Sequence, residues 1–172
     1  MILGSDALRG RALTLDFTVG RIEHAESPAS ARGVGVPLLL DHGVPAIEAE
    51  IAGCRLWLRI DTGASLFDTD DVFVNLPAAV WDDVRGRTST LRTLMTLVGT
   101  GADGTAVDLP VFDVPAARVG PLAVERVAVI VQPAVGYFAR PDAKGFVGNN
   151  LLQKLGRVTL DYAAGRLVAA EP

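Results

Sequence analysis

An all-β fold with only short helices is what this sequence predicts, and three observations predict it. Val, Leu and Ile dominate an apolar set that makes up 49% of the 172 residues, and β-branched side chains fit strands. Gly (18) and Pro (10) are frequent enough to punctuate many short segments. Between those punctuation points, apolar and polar residues repeatedly alternate at the strand period of two. With 21% charged residues at this length, the chain has the composition of one globular domain with a real core.

An internal repeat organises the chain. Ile2-Leu3-Gly4-Ser5-Asp6-Ala7-Leu8 is followed by Leu13-Thr14-Leu15-Asp16-Phe17 and Gly20-Arg21-Ile22. Near the other end stand Phe146-Val147-Gly148-Asn149-Asn150-Leu151-Leu152, then Val158-Thr159-Leu160-Asp161-Tyr162 and Gly165-Arg166-Leu167. Each copy reads as two apolar residues and a Gly, a short amphipathic helix, an alternating strand, a Gly turn and a second strand. Residues 1–24 therefore read as the tail of one structural unit, and residues 36–172 as a complete second unit. Residues 25–35, small and rich in Ser, Pro and Gly, read as a linker between them. On this reading the chain begins in the middle of a two-unit parent.

The second unit opens with the strand Val36-Pro37-Leu38-Leu39-Leu40, turns at Asp41-His42-Gly43, and alternates over residues 46–51 and again over 55–60. In the last strand Leu56, Leu58 and Ile60 share one face, and Arg55, Trp57 and Arg59 the other. The strand runs straight into Asp61-Thr62-Gly63-Ala64-Ser65, a lone carboxylate followed by small residues suited to a tight turn. Residues 67–74 read as mixed, with Asp68, Asp70 and Asp71 in a solvated turn. A calcium loop is disfavoured there by spacing and by the missing downstream Glu. Pro77 to Val84 reads as a short helix with Pro at its first position, ending near Gly86. Residues 88–98 and 105–111 read as a hairpin with the glycine-rich tip 99–104. No helix pattern follows the glycines and no Lys lies nearby, so a phosphate loop is not predicted. Strand character continues through 111–119, and residues 127–131 read as a buried strand. Residues 137–144 read as a polar loop, followed by the apolar-Gly block Phe146-Val147-Gly148, a helix from about Asn150 to Leu155, and a closing hairpin.

A strand ending in Asp-Thr-Gly-Ala-Ser, a Gly-tipped hairpin, and two apolar residues plus Gly leading into a short helix: this order resembles the retropepsin-like aspartic proteases, the bacterial members above all. The tripeptide alone is a weak signal; the ordered set over residues 36–172 is specific. The resemblance implies a retropepsin/pepsin-like closed β-barrel lobe, probing peptide or protein substrates without a cofactor. It implies Asp61 as the catalytic aspartate of a paired-aspartate endopeptidase. Thr62 would bond across to a partner loop, Gly63 would let the backbone approach the carboxylates, and Ala64 and Ser65 would complete the active-site loop. Ala64 follows the viral rather than the pepsin-type pattern. Val98, Gly99, Thr100, Gly101, Ala102, Asp103 and Gly104 would form the flap over substrate. Phe146, Val147 and Gly148 would pack beneath the loop. Asn150 stands where relatives often carry Asp, as Asp6 does in the first copy.

One Asp-Thr-Gly makes half a site. The second must come from a homodimer partner or from a preceding lobe, and the orphan segment 1–24 favours the lobe. The alternatives are a non-catalytic lobe of the same fold used for peptide binding or assembly, and a plain Asp-capped turn. Other classes are disfavoured. A net charge of −4 and the lack of a basic run argue against nucleic acid. A single cysteine, Cys54, and two scattered histidines give no metal-ligand spacing and no intrachain disulfide. No apolar run reaches membrane-spanning length, and the N-terminus has no basic segment leading into an apolar one, so no signal peptide is read in this chain.

Overall fold

The computed structural model describes residues 5–25, 33–65, 69, 71–100 and 104–169. A 3-10 turn, Ser5–Leu8, precedes β1 (Ala12–Asp16), β2 (Arg21–Ala25), β3 (Val34–Asp41), β4 (Val44–Ile51) and β5 (Cys54–Ile60). Then come β6 (Phe73–Pro77), α1 (Ala78–Arg85), β7 (Arg92–Thr100), β8 (Ala106–Val119) and β9 (Leu122–Gln132). A second 3-10 turn, Gly136–Ala139, leads to β10 (Gly145–Val147), α2 (Asn149–Lys154), β11 (Arg157–Asp161) and β12 (Arg166–Ala169). The all-β expectation holds. Among the described residues no helix is long and apolar enough to cross a membrane.

The described strands form one hydrogen-bonded sheet in the order β2-β1-β11-β12-β3-β4-β5-β10-β6-β9-β8-β7. An added pairing of β4 with β8, Ala49 opposite Val119 and Ile51 opposite Ala117, closes β4, β5, β10, β6, β9 and β8 into a ring. That ring is the barrel. Its first two hairpins turn at His42-Gly43 and Ala52-Gly53, all four with positive φ, the backbone that two-residue type I′ connections require. Inside, Ile47, Ile51, Leu58, Leu76 and Val114 are fully buried. Trp81 of α1 closes one end by stacking on Phe112, with ring centroids 4.6 Å apart.

Three local readings need correction. Residues 73–77, read from sequence as the end of a mixed segment (67–74) and, at Pro77, as the start of a helix, are a central strand. β6 runs parallel to β9 and antiparallel to β10, and all five of its residues are buried. A strand covered on both faces loses the alternation by which strands are recognised. Pro77 is therefore the last residue of β6 and the N-cap of α1, with extended ψ of 145°, rather than the first helical residue. The segment read as a polar loop after residue 136 begins with the 3-10 turn Gly136–Ala139, which carries Tyr137 and Phe138.

The repeat read from sequence has a counterpart in the sheet. In the first hairpin Leu13, Thr14, Leu15 and Asp16 face His24, Glu23, Ile22 and Arg21. In the second, Val158, Thr159, Leu160 and Asp161 face Ala169, Val168, Leu167 and Arg166. Every residue of the second set lies 145 positions after its counterpart, the separation of Thr14 from Thr159. The two hairpins meet through β1 and β11, antiparallel, with Thr14 directly opposite Thr159. A local two-fold axis thus passes between these threonines, whose hydroxyls bond at 2.8 Å in a buried position. Thr159→Val leaves the Thr14 hydroxyl buried without this partner and is expected to cost about 1–3 kcal/mol. The double Val variant, which removes both polar groups, should recover most of that loss in urea denaturation.

Candidate active site

The position of Asp61 is set by strand pairing. β5 runs parallel to β10, with Leu58 opposite Gly145, Arg59 opposite Phe146 and Ile60 opposite Val147. The ladder continues one step further, where the Asp61 N–H donates to the Val147 carbonyl at 3.0 Å. The chain then turns on itself: Asp61 Oδ1 accepts from the Gly63 N–H at 2.9 Å, and the Asp61 carbonyl accepts from Ala64 N–H at 3.2 Å. This is the local side-chain-to-backbone bonding at which Asp excels in turns. At the far side the Ala64 carbonyl accepts from the Asn149 N–H at 2.6 Å. The loop is sewn at both ends to the junction of β10 and α2. Asp61, Thr62, Gly63 and Ser65 are exposed and Ala64 is half-buried.

Two glycines permit this approach. A Cβ on Gly148 would run into the Phe73 ring and the Ala64 carbonyl, and one on Gly145 into the Asn75 carbonyl. Beneath the loop, buried Asn150 donates from Nδ2 to the Thr69 carbonyl at 2.8 Å. An ionised Asp at 150 has no hydrogen to donate there, which is a physical reason for Asn at this position.

The glycine-tipped hairpin is formed by β7 and β8. Val98 is 70% exposed, Gly99 sits over the Leu109 side chain, Thr100 is exposed, and Gly104 has a φ of 82° at the start of the return strand. Gly101, Ala102 and Asp103 lie outside the described residues. The root of the hairpin is joined to the Asp61 loop: Leu97, Leu109 and Ala64 all pack on a small cluster of buried Phe73, Val111 and Ile130.

Asp61 and Thr62 open onto a cleft of about 610 Å³. Its walls include Tyr137, Phe138 and Phe146, and its floor includes Leu13, Leu160 and Tyr162. Leu13 and Leu160 are a cross-strand pair adjoining the two-fold axis. Burial raises the Tyr162 phenol above its ordinary value, so this ring presents a neutral hydroxyl. Arg59 also lines the cleft, and an ionic clamp holds it. Its Nε and Nη2 both reach Asp41 Oδ2 at 2.7 Å, while Lys144 Nζ reaches Asp41 Oδ1 at 3.0 Å. The guanidinium lies 4.5 Å from the Tyr137 ring centroid, and the Tyr137 hydroxyl accepts from the Lys144 N–H at 2.8 Å. Asp41 thus ties the end of β3 to β5 and to the residue just before β10. The sequence reading missed this clamp and the aromatic wall, since residues 41, 59, 137 and 144 have no shared motif. Among the described residues no group of three His, Cys, Asp or Glu side chains is placed to hold a metal.

No protein-family model matches the sequence, and no curated protein sequence matches it. Solved structures do match the fold. One is a retropepsin-like aspartic protease from Rickettsia conorii, 14% identical, with a TM-score of 0.50, covering 79% of this chain and 88% of that one. Another is EIAV protease complexed with the inhibitor HBY-793, 20% identical over 66% of this chain and 88% of that one, with a TM-score of 0.35. The likeness to the rickettsial structure concerns the fold, and together with the closed ring of strands it establishes that this chain has a retropepsin-like all-β fold.

Two expectations follow from the local geometry. Gly148→Ala forces Phe73 or the Ala64 carbonyl to move, and should cost about 1–3 kcal/mol in thermal or chemical denaturation. The second concerns pH. Burial works to raise the Asp41 carboxyl, but hydrogen bonds from Lys144 and Arg59 outweigh it and hold the group below its usual 3.8. The folded value lies below the unfolded one, so the stabilisation is present above pH 3.8 and is lost as pH falls through the folded value. Asp41→Asn should lower stability at neutral pH by about 1–3 kcal/mol. It should also flatten the acid limb of the Tm–pH curve.

Proposed function

We propose that this chain is half of an aspartic endopeptidase, with Asp61 as one of two catalytic carboxylates. The observation that carries this reading is the location of the Asp61 loop beside the two-fold axis. The cleft it opens onto has Leu13 and Leu160 on its floor, the pair that adjoins that axis. A second lobe related by the same axis would bring its own Asp-Thr-Gly turn to the opposite side of that floor. Residues 1–24 are then the terminal segment of the preceding lobe, 25–35 a linker, and 36–172 the protease lobe proper.

Two carboxylates held close together cannot both ionise, so they share one proton and titrate as a pair. The ionised member removes a proton from a bound water as its oxygen attacks the scissile carbonyl carbon. The protonated member donates a hydrogen bond to the carbonyl oxygen. The tetrahedral intermediate collapses with cleavage of the C–N bond, and a proton from the pair goes to the departing amine. In this scheme Thr62 bonds to the partner loop, and Gly63, Ala64 and Ser65 shape the turn. Val98, Gly99, Thr100, Gly101, Ala102, Asp103 and Gly104 cover the substrate, while Phe146, Val147 and Gly148 support the loop. The aromatic and aliphatic cleft walls favour peptides with hydrophobic side chains flanking the cleaved bond.

The test is Asp61→Asn in the paired protein. Peptide hydrolysis should fall by roughly 10²–10⁴-fold with folding unchanged. Equal cleavage by the variant would refute the mechanism, and inactivity of both forms toward every peptide tried would favour a lobe that binds peptides without cutting them.

A further inference from the structure

Among the described residues, one cation stands in the wall of the cleft that Asp61 opens onto, and it is Arg59. The ladder with β10 carries β5 on to Asp61, so Arg59 and Asp61 face the same side, about 6–7 Å apart along the strand. Arg59 nevertheless pairs with Asp41 and not, among the described residues, with Asp61. The pairing is side-on: Nε and Nη2 both reach Asp41 Oδ2 at 2.7 Å. A guanidinium has five N–H donors, of which this contact uses two. The end-on fork, one N–H from each Nη, meets no acceptor among the described residues. The Tyr137 ring covers one face of the group, its centroid 4.5 Å from the guanidinium carbon.

The charges around Arg59 do not cancel. Lys144 Nζ holds the other oxygen of Asp41 at 3.0 Å, so one carboxylate serves two cations. Arg140 and Asp142 neutralise each other at 2.9 Å, and His42, 3.6 Å from Asp142, can only add positive charge. This corner of the cleft therefore carries one positive charge in excess, in a chain whose net charge is −4. The Arg59 side chain is only 17% exposed. A cation so far removed from water, sharing its counterion, lacks the full pairing that offsets burial of a charge. Asp61 does not supply it, since its Oδ1 accepts from Gly63 within its own loop.

We propose that Arg59 is a specificity-determining residue of the cleft, and that its end-on fork receives the carboxylate of an acidic side chain of the peptide substrate, within a residue or two of the cleaved bond. The carboxylate accepts from one N–H of each Nη, the two-pronged geometry that suits a planar guanidinium. Asp41 and the Tyr137 ring already hold the group in place, so little side-chain freedom is lost on binding. Phe138 and Phe146, on the same wall, take the apolar side chains beside the acidic one. The preferred peptide is thus hydrophobic around the cleaved bond with one Glu or Asp among those residues. This rests on the endopeptidase reading for what becomes of the peptide; recognition of the acidic side chain is read from binding alone.

The probes are short peptides blocked at both ends, apolar except for one Glu or one Gln placed in turn at each central position. They are titrated into the full chain and followed by 15N–1H NMR. At one or two positions the Glu peptide should bind about tenfold tighter than its Gln twin at low salt, with a shift of the Arg59 Nε–H signal. The margin should shrink as salt is added. Arg59→Met keeps the stem beneath Tyr137 but loses the fork, and should bring the two peptides level. Lys144→Met leaves the Arg59–Asp41 bonds in place and lets Asp41 neutralise Arg59 alone, so it should narrow the margin roughly threefold. Equal binding of Glu and Gln at every position, a margin untouched by both substitutions, or no binding of any peptide overturns the proposal. Cleavage by the paired protein separates the two readings. Asp61-dependent hydrolysis with no preference for Glu sinks this inference alone, and a Glu margin in binding without any hydrolysis sinks the catalytic one alone.

Discussion

Everything around Asp61 depends on how closely the β5 loop approaches the β10–α2 junction. Two backbone hydrogen bonds hold that approach, Asp61 N–H to Val147 and Asn149 N–H to Ala64. Neither is possible unless positions 145 and 148 lack a side chain, because the space a Cβ would take is filled by Phe73 and by carbonyls of Ala64 and Asn75. The consequences spread outward. Gly145 lets β10 insert between β5 and β6, which makes β6 a central strand buried on both faces. Phe73, at the start of β6, is then pinned under Gly148 and becomes the buried ring on which Ala64 and the hairpin residues Leu97 and Leu109 rest. One close contact thus fixes the loop, the strand beside it and the root of the hairpin above it.

The parts of this arrangement that were legible in the sequence are those with a local signal. The two I′ hairpins around β4 were readable from alternation and from Gly43 and Gly53 at their tips. The loop after β5 was readable because small residues follow a carboxylate directly at a strand end. What was not legible is what only tertiary burial decides. β6 carries no alternation because both of its faces are covered, and its polar residue Asn75 survives there by accepting from Gln132 Nε2 at 2.6 Å. The Asp41 clamp joins residues up to 103 positions apart, a separation at which no periodicity can operate. Tyr137 and Phe138 were hidden by the polar residues that follow them, yet they build a wall of the cleft.

The two-fold relation of the hairpins imposes a condition on whatever lies at its axis. A residue there meets its own kind, so it has to complement itself. Threonine does: each hydroxyl can donate or accept, and the pair at 2.8 Å needs no other partner to satisfy the contact. Charged residues at that point would face their like and destabilise the pair. The charged side chains of β1 and β11 are accordingly displaced from the axis. Asp16 stands opposite Arg157 rather than opposite Asp161, and Asp161 bonds to Ala164 N–H and Arg166 within its own hairpin.

The same condition acts on the proposed catalytic pair with the opposite result. Related by one axis, Asp61 and its counterpart would be two carboxylates meeting face to face, which is unfavourable while both are ionised. The arrangement becomes stable when the pair takes up one proton and turns repulsion into a hydrogen bond. On the described lobe Asp61 is exposed to water. In the proposed pair that repulsion would arise only once a second lobe covered the Leu13–Leu160 floor and excluded solvent. With the stabilising symmetric contact, the buried threonine pair, on the sheet below, and the proposed strained one in the cleft above, the first would hold the second in place. On the proposed reading, the energy that would bring two carboxylates together comes from strand pairing and apolar burial elsewhere in the interface, which is how the geometry of β1, β2, β11 and β12 would bear on the chemistry although none of these strands carries Asp61.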